Sequence, residues 1–177
     1  MKTVCFDTYQ WERMSITMAA TVDGLRYLSF TTPDTLFTSV RHSLSEHPVH
    51  DPEHMRAYIH QLAAYLSGER KQFQLPLDIK GTEFQLKVWA FLLTIPYGKV
   101  ASYQQVAEAV GRNNAFRATG MANHANPVSV VVPCHRIIGK TGHLTGYGGG
   151  VALKSRLLRL EGVKIESDHI VEKSAWM

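Results

Sequence analysis

The chain has 177 residues, 45% of them hydrophobic and 19% charged, and its formal net charge is +4 at pH 7, a composition that fits one large or two small globular domains. No apolar run approaches the length of a bilayer span, and the N-terminus lacks the apolar stretch of a signal peptide, which argues against membrane and secreted proteins. We therefore expect a soluble cytoplasmic protein with no membrane partner, in which Cys5 and Cys134 stay reduced.

The beginning of the chain is predicted to form an antiparallel sheet. Runs rich in β-branched and aromatic residues at Thr3–Phe6, Met14–Ala20 and Leu25–Phe30 are typical of short strands. Asp23-Gly24 is a hairpin signal between the last two. Further on, Glu53–Leu66 has the apolar spacing of a helix.

The segments on either side of that helix are less regular. Pro33–Asp51 is polar and predicts an irregular connection, whereas Phe73–Leu77 is a candidate for a further strand. Several histidines also lie in this half, but they straddle two prolines and lack a ligand spacing, so the sequence predicts no metal site. They are His42, His47, His50, His54 and His60.

The second half is predicted to be mainly helical. Thr82 and Ser102 each precede a glutamine by three residues, which is the capping-box pattern that opens a helix. The helix after Ser102 is predicted to span Tyr103–Val110, and a short polar connection leads to another at Ala115–Asn123. Two helices joined by a tight turn that contains glycine are a helix-turn-helix candidate.

The two halves also differ in charge. Residues 1–80 hold 8 basic and 9 acidic side chains, whereas residues 81–164 hold 10 basic and 3 acidic ones, a net of +7. We predict one domain at 1–80, a second at 81–164 and a disordered tail at 165–177. The basic excess suits contact with a polyanion, although a solvated basic face would have the same composition.

The second helix of the predicted pair carries small residues and one long cation. Ala115, Ala118, Gly120 and Ala122 permit close approach to a partner, and Arg117 can reach into a base stack. Such a helix fits a minor groove better than a major groove, where Arg, Asn and Gln are the usual readers. The alternative is that the alanines pack against a neighbouring helix and the arginine is an ordinary surface charge.

The PCHR motif at 133–136 places a thiol beside an imidazole, directly after a β-branched run at Val128–Val132 that predicts a strand. A free thiol has a pKa of about 8.5, so it needs a base, a cation or a dipole to act as a nucleophile at neutral pH. Adjacent strand residues point to opposite faces, so His135 can act on Cys134 only across a turn or through a water. A buried structural cysteine is the plainer alternative.

Two polar side chains are candidates for support of this motif. Asn126, followed by a proline, can brace the backbone that leads to the cysteine, or it is a simple turn residue. Glu161, at the end of a helix predicted at Ala152–Leu160, is the acid best placed to orient His135.

A glycine-rich segment follows the cysteine, at Gly139–Gly150, and Tyr147 is its single aromatic residue. It lacks the pattern of a nucleotide-binding P-loop. Glycines let backbone N–H groups approach a flat ligand, and Tyr147 is able to stack over it, so the segment predicts a flexible wall of a site. A plain surface loop is the alternative.

Taken together these motifs resemble the O6-alkylguanine-DNA alkyltransferases, also called methylated-DNA–protein-cysteine S-methyltransferases. The resemblance covers 81–162 with the motifs in the family's order and spacing, whereas residues 1–80 match only in size and strand pattern. The motifs are SYQQVA at 102–107, Arg117, NP at 126–127, VVPCHRII at 131–138, GYGGG at 146–150 and LLRLEG at 157–162.

The resemblance implies a chemistry for the PCHR motif. Cys134 would take the alkyl group from O6 of guanine, or from O4 of thymine, and the protein would be consumed because a thioether is not hydrolysed. His135 would act as the base through a water, with Glu161 orienting it and Asn126 holding the turn. No cofactor is implied, because the substrate carries its own methyl group.

The resemblance also implies a DNA-binding surface. Arg117 matches the finger that fills the space left by a flipped nucleotide, and Tyr103 matches the residue that rotates this nucleotide and donates a hydrogen bond to the base. The partner would be double-stranded DNA containing O6-alkylguanine, bound through its minor groove by a monomer. The implied DNA-binding residues are Arg117, Ala115, Ala118, Ala122, Ser102 and Gln104, and the implied substrate pocket is formed by Tyr103, Val131, Tyr147, Gly148 and Lys154.

The implied fold is α+β, with an N-terminal α/β domain built on a small antiparallel sheet and a mostly helical, winged helix-turn-helix-like domain that carries Cys134. Two departures stand out: Gly148 replaces a serine that some members place over the base, and Cys5 alone cannot form the zinc site that others hold. Alkyltransferase-like proteins that only flag the lesion replace the cysteine, which this chain keeps. A cysteine hydrolase would explain neither the helix pair nor the basic segment.

Overall fold

The computed structural model describes residues 3–40, 47–172 and 175–177. The chain divides into two compact units, Met1–Lys80 and Gly81–Met177. The first unit is built on a β-sheet and the second mainly on helices, so the α+β class predicted from the sequence is confirmed. None of the described helices is long and apolar enough to cross a membrane.

The first unit consists of a four-stranded sheet and two helices. The strand order is β3-β2-β1-β4, and all neighbours are antiparallel except β4, which runs parallel to β1. Helix α2 packs on β1 and β2. The elements are β1 (Val4–Trp11), β2 (Met14–Thr21), β3 (Gly24–Ser29), α1 (Pro33–Val40), β4 (Pro48–His50) and α2 (Pro52–Leu66).

The predicted hairpin turn is present, but the predicted strand at Phe73–Leu77 is wrong. Gly24 has a φ of 143°, and a Cβ atom at this position would lie 2.5 Å from the Pro76 carbonyl oxygen. That carbonyl accepts from the Leu25 amide at 2.8 Å, and Leu77 forms only an isolated bridge. Pro76 has no N–H to donate, which interrupts any ladder in this segment.

The predicted irregular connection at Pro33–Asp51 is also wrong, because α1 and β4 lie within it. The first helix is short and buries Leu36 alone, so its polar composition hides the helical period. Pro33 at its start and Asp34 in its first turn are nevertheless helix-opening residues. Among the described residues no group of His, Cys, Asp and Glu side chains is arranged to hold a metal, and His42 lies outside the described residues.

In the second unit the helices begin at the predicted caps. The side chains of Thr82 and Ser102 accept from the amides of Gln85 and Gln105, and both reciprocal bonds of the capping box are present. The pair β5–β6 is parallel and β7–β8 is antiparallel. The elements are α3 (Glu83–Leu92), β5 (Ala101–Ser102), α4 (Tyr103–Ala109), α5 (Phe116–His124), a 3-10 helix (Cys134–Arg136), β6 (Ile137–Ile138), α6 (Val151–Leu160), β7 (Ile165–Glu166) and β8 (His169–Ile170).

The strand predicted at Val128–Val132 is wrong, and a folded loop takes its place. Val130 has a φ of 72°, in the left-handed region that β-branched residues rarely adopt, so the chain turns here. The Val132 amide donates to the Val128 carbonyl at 3.0 Å, which closes the loop on itself. Burial of the valines, and not pairing in a sheet, accounts for the apolar run.

The described part of the predicted disordered tail is ordered. Strands β7 and β8 pair with each other, and the Val100 amide donates to the Ala175 carbonyl at 2.8 Å. Ile165, Ile170 and Ala175 belong to a buried cluster that also contains Val100 and Leu158. The C-terminal segment therefore completes the core of the second unit, which the polar residues between these apolar positions conceal in the sequence.

Candidate active site

Cys134 is the first residue of the 3-10 helix, and it is 4% exposed. Its amide donates to the Val132 carbonyl at 2.8 Å, and its own carbonyl accepts from the side-chain amide of Asn123 at 3.3 Å. The thiol is thus carried by a short, doubly anchored turn, in place of the predicted strand end.

Asn126 holds the loop that precedes the cysteine at both of its ends. Its Oδ1 accepts from the Val128 amide at 3.0 Å and its Nδ2 donates to the Val132 carbonyl at 2.8 Å. The side chain therefore substitutes for a backbone turn, as asparagine commonly does. Burial raises the pKa of the Cys134 thiol, and the Asn126 side chain lies close enough to oppose that rise.

His135 and Glu161 form a buried pair, with Nε2 of the imidazole 2.8 Å from Oε1 of the carboxylate. Arg136 binds the same carboxylate through Nε at 3.0 Å and Nη2 at 2.9 Å, and its Nη1 donates to the Ile95 carbonyl. The Gly98 amide donates to Glu161 as well, at 2.9 Å. Every acceptor site on the carboxylate is used, which stabilises its charge in the interior.

These contacts set the protonation states. Burial lowers the pKa of His135, although the charge of Glu161 opposes this, so the ring is neutral at pH 7. Burial alone would raise the pKa of Glu161, but His135 and Arg136 outweigh it and hold the pKa well below its usual range. Because a carboxylate only accepts, Nε2 of His135 carries the hydrogen, and Nδ1 presents the lone pair of a base.

The thiol of Cys134 is protonated in the resting protein. Burial raises its pKa, and the Asn126 side chain, the charge of Lys154 and the Ser129 hydroxyl oppose this rise without cancelling it. A buried thiol needs a partner that removes its proton before it can attack an electrophile.

Lys154, predicted to line the substrate pocket, is fully buried in the second unit. Its side chain is 0% exposed, and the ammonium group donates to the carbonyls of Ile137 and Thr145. Burial lowers its pKa to about 8, against an opposing effect of Cys134. The residue therefore ties the segment after the cysteine to the glycine-rich loop, and it supplies a positive charge near the sulfur.

Tyr103 begins α4, and its hydroxyl lies 3.3 Å from the carbonyl oxygens of Thr145 and Gly146. Burial raises the pKa of this hydroxyl. Tyr147, in the same loop, is half-buried, and a Cβ atom added to Gly148 would meet nothing within 4 Å. The structure thus brings Tyr103 and the glycine-rich loop together. Val131 is buried as well, at 7% exposure, in the loop before Cys134.

The predicted DNA-binding residues separate into exposed and buried sets. Arg117 and Ala118 are exposed on α5, and Ala115 caps its beginning half-buried. Ala122 is buried, and its carbonyl accepts from the Trp89 indole at 2.8 Å, so its assignment to a DNA contact is wrong. Ser102 is also largely buried, and its hydroxyl caps α4, but it lines the same surface depression as Gln104.

Gln104 is half-buried and donates to Glu108 at 2.8 Å, at the edge of a shallow depression on α4. Its position is compatible with the predicted contact.

Sequence reasoning missed several residues of this site. Arg136 was read only as part of a motif, although it holds Glu161 from within the interior. Asn123 was placed on a helix without a role. Phe116 and Met121 are 51% and 75% exposed on α5, and they flank the outward face that carries Arg117. Large apolar residues on an otherwise small-residue helix are the signal that could have found the last two.

The fold and the site together define a class of helix-turn-helix proteins that carry a cysteine beside a buried histidine–carboxylate pair. The model of the 6-O-methylguanine DNA methyltransferase DNA binding domain matches residues 83–163, and that of the ribonuclease-like domain of the same proteins matches residues 4–79. The chain therefore belongs to the O6-alkylguanine-DNA alkyltransferase family, whose enzyme class is methylated-DNA–protein-cysteine methyltransferase.

Individual relatives agree with this assignment. A methylated-DNA–protein-cysteine methyltransferase of Mycobacterium tuberculosis is 48% identical over 118 residues, which is 67% of this chain and 72% of the relative. One of Methanosarcina acetivorans is 41% identical over 147 residues, covering 83% and 91%. The crystal structure of Mycobacterium tuberculosis OGT in complex with DNA has a TM-score of 0.77 at 38% identity, covering 89% of this chain and 92% of that one.

Proposed function

We propose that this protein repairs DNA by moving the alkyl group from O6 of guanine to Sγ of Cys134. The sulfur attacks the alkyl carbon, the bond from that carbon to O6 breaks, and the guanine leaves with the electron pair while a proton is returned to it. The thioether that forms is stable to water, so each molecule acts once. O4-alkylthymine offers the same electrophilic carbon and is a second, poorer substrate.

The observation that carries this proposal is the buried His135–Glu161 pair next to a protonated thiol. Nδ1 of the neutral imidazole accepts the thiol proton through a water, and Glu161 stabilises the imidazolium that results. Arg136 keeps the carboxylate charged during this transfer. A thiol that is protonated at rest is a poor nucleophile, so it is protected from adventitious alkylation until its proton is removed.

Tyr103 is the group that meets the leaving guanine. Its hydroxyl is engaged by loop carbonyls in the free protein, and exchanges them for the base. A hydrogen bond to the leaving group stabilises the charge that develops on it in the transition state.

A base inside a duplex is not open to attack by sulfur, so the nucleotide must be rotated out. The exposed face of α5 suits this task, because its small residues admit close approach to a minor groove and Arg117 is long enough to replace the displaced base. Its flanking Phe116 and Met121 are apolar wedges of the kind that minor-groove proteins insert. The relative solved with DNA supports a DNA partner. We place the protein on chromosomal DNA in the cytoplasm, as a monomer.

The test is intact-mass measurement after mixing with a duplex that contains O6-methylguanine. One methyl group per molecule is expected, mapped to Cys134, and Cys134→Ala should abolish it while DNA binding persists. Cys5→Ser is the matched control and should transfer normally, because burial and the nearby Asp51 raise the pKa of the Cys5 thiol and the proposed base, His135, adjoins Cys134. Repeated turnover, or methylation of Cys5, would refute the proposal.

A further inference from the structure

Asn123 and Tyr103 meet beside the turn that carries Cys134. Asn123 is 4% exposed on the inner face of α5, and its Nδ2 donates to the Cys134 carbonyl at 3.3 Å. The Tyr103 ring lies against the same helix about one turn earlier, where a Cβ atom on Gly120 would be 3.8 Å from its Cε1. The Asn123 side chain also contacts the Tyr103 hydroxyl. Helix α5 therefore joins the nucleophile to the residue assigned to the leaving base.

The hydrogens of this contact can be assigned from the partners on either side. A backbone carbonyl only accepts, so the Asn123 nitrogen, which carries two hydrogens, faces Cys134. The carbonyl oxygens of Thr145 and Gly146 lie 3.3 Å from the Tyr103 hydroxyl and also only accept, so they take the phenolic hydrogen. The phenolic oxygen is then the acceptor for the second hydrogen on the Asn123 nitrogen.

Donation by Asn123 makes the Tyr103 hydroxyl a better hydrogen-bond donor. Burial raises the pKa of this hydroxyl, and the Asn123 side chain is among the groups that oppose the rise. A neutral donor has this effect because its hydrogen bond is stronger to a phenolate than to a phenol. The O–H bond of Tyr103 is thereby polarised toward the group that accepts its hydrogen.

The carbonyl that accepts this hydrogen in the free protein can release it. Lys154 donates to the same Thr145 oxygen at 2.7 Å, so this oxygen keeps a partner when the tyrosine hydrogen turns elsewhere. A buried carbonyl left without any donor would oppose such a change. The Tyr103 hydroxyl is therefore free to exchange its carbonyl partner for a bound base.

We infer that Asn123 is a positioning residue for departure of the base: its amide nitrogen holds the phenolic oxygen of Tyr103 beside Cys134 and directs the tyrosine hydrogen toward the leaving group. The inference rests on the proposed function, because it requires a base bound next to Cys134. Negative charge develops on the base as its bond to the alkyl carbon breaks, and a stronger donor stabilises that charge better. The contribution of Asn123 passes through Tyr103 and not through the sulfur.

The alternative is that Asn123 only braces the turn that carries Cys134. Two methylating agents separate these roles. O6-methylguanine expels a base that is stabilised by a hydrogen-bond donor, whereas iodomethane expels iodide, which leaves without one. A variant that misplaces the sulfur should slow both reactions, and a variant that weakens the tyrosine donor should slow the first alone.

The experiment measures single-turnover methylation of Cys134 by iodomethane and by a single-stranded oligonucleotide that contains O6-methylguanine. Asn123→Leu should slow transfer from O6-methylguanine about fivefold, as expected for one hydrogen bond, and should leave the rate with iodomethane unchanged. Asn123→Ala, which also lacks the donor, should behave alike. In a Tyr103→Phe background Asn123→Leu should have little further effect, because the hydroxyl on which it acts is gone.

Thr119→Val is the matched control. Like Oδ1 of Asn123, the Thr119 hydroxyl is buried on the inner face of α5 and has no hydrogen-bond partner among the described residues, so its loss should leave both rates at the wild-type value. Equal slowing of both reactions by Asn123→Leu, or a full loss of rate in the Tyr103→Phe background, would overturn the inference. A wild type that iodomethane methylates at Cys134 but O6-methylguanine does not would instead refute the proposed function.

Discussion

Nε2 of His135 and Oε1 of Glu161 are 2.8 Å apart, and neither side chain is exposed to solvent. The same carboxylate binds Arg136 through two nitrogens. Glu161 therefore has two functions that mutagenesis must separate: it fixes the tautomer of the histidine, and it neutralises a buried guanidinium. Loss of either Glu161 or Arg136 leaves the charge of the other uncompensated in the interior, which is among the more destabilising changes that a protein can suffer.

The proposed proton transfer from Cys134 through a water to His135 predicts a pH-dependent defect. His135→Ala removes the base, so transfer from O6-methylguanine at pH 7 should fall about 100-fold or more, as is typical for loss of a general base. The defect should shrink only at alkaline pH, where the solution approaches the pKa of the Cys134 thiol, which burial raises, and thiolate then forms without the base. The measurement is the rate of methyl transfer against pH for the wild type and His135→Ala. A ratio of the two rates that is constant across pH would contradict this proton transfer.

Glu161→Gln tests whether the pair acts as a unit. The double variant with His135→Ala should be little slower than His135→Ala alone, because residues that act together are strongly non-additive. Urea unfolding of each variant reports the separate loss of stability that comes from Arg136. If the rate losses of the two single variants multiply in the double variant, Glu161 supports the fold and does not act through His135.

Arg117 is predicted to act on base rotation and not on the sulfur. Arg117→Ala should slow repair of duplex DNA by roughly 30-fold, which corresponds to about 2 kcal/mol of extrusion energy, and should leave transfer from free O6-benzylguanine nearly unchanged. Arg117→Lys keeps the charge but not the planar group, and is the matched control. Equal losses of rate on duplex DNA and on free O6-benzylguanine would argue against a role of Arg117 in base rotation.

Phe116 and Met121 are predicted to contribute an apolar part of DNA affinity. Met121→Ala should weaken duplex binding about fivefold, or about 1 kcal/mol, without changing the dependence of affinity on salt, because no counterion is released by an apolar contact. Arg117→Ala should instead lower the salt slope by about one. Binding isotherms at several salt concentrations distinguish Met121→Ala from Arg117→Ala. A changed dependence of affinity on salt for Met121→Ala would show that Met121 does not make an apolar contact with DNA.

Local signals in the sequence predicted the helices of the second unit well. The capping boxes at Thr82 and Ser102 involve residues three apart, so their geometry depends on little beyond the helix itself. The loop at Val128–Val132 was misjudged because its conformation depends on a side chain outside the run. Asn126 bonds to both ends of it, and such a contact has no signature in β-propensity.

The site likewise combines features that the sequence predicts with features that depend on tertiary packing. The resemblance to the family pointed to His135 and Glu161, which are in contact. It also pointed to Ser102 and Ala122 as DNA-binding residues, and both are buried. Burial is decided by tertiary packing that a motif does not contain. The buried position of Lys154 likewise depends on two backbone carbonyls that the fold brings to its ammonium group.

Gly148 is predicted to be a site where substrate affinity can be raised. Its φ lies outside the left-handed region and a Cβ atom there meets nothing within 4 Å, so Gly148→Ser fits without strain. The resemblance places a serine over the base at this position in some members, and an added hydroxyl offers O6 a hydrogen bond. Inactivation by free O6-benzylguanine should become faster at low concentration, whereas Gly148→Ala, which adds bulk alone, should not reproduce this gain.

Lys154 predicts how stability depends on pH. Its pKa is about 8 in the folded protein and about 10.4 in an unfolded chain, so between these values the unfolded chain binds more protons. The free energy of unfolding contributed by this residue must therefore rise with pH across that window, by up to about 3 kcal/mol. The Cys134 thiol acts in the opposite direction, because its raised pKa makes the folded protein retain a proton that the unfolded chain loses.

Replacing Cys134 with serine separates the effect of Lys154 on the pH dependence of stability from that of the thiol. In a Cys134→Ser background the pKa of Lys154 should be no higher, since the sulfur is the group that raises it. Urea unfolding of Cys134→Ser and of Cys134→Ser with Lys154→Met is measured at pH 7.5, 8.5 and 9.5. The methionine variant loses two buried hydrogen bonds, but the stability of the lysine protein relative to it should increase at each step in pH. A difference that stays constant, or that decreases, would mean that Lys154 is already stabilised as a full cation by its carbonyl partners.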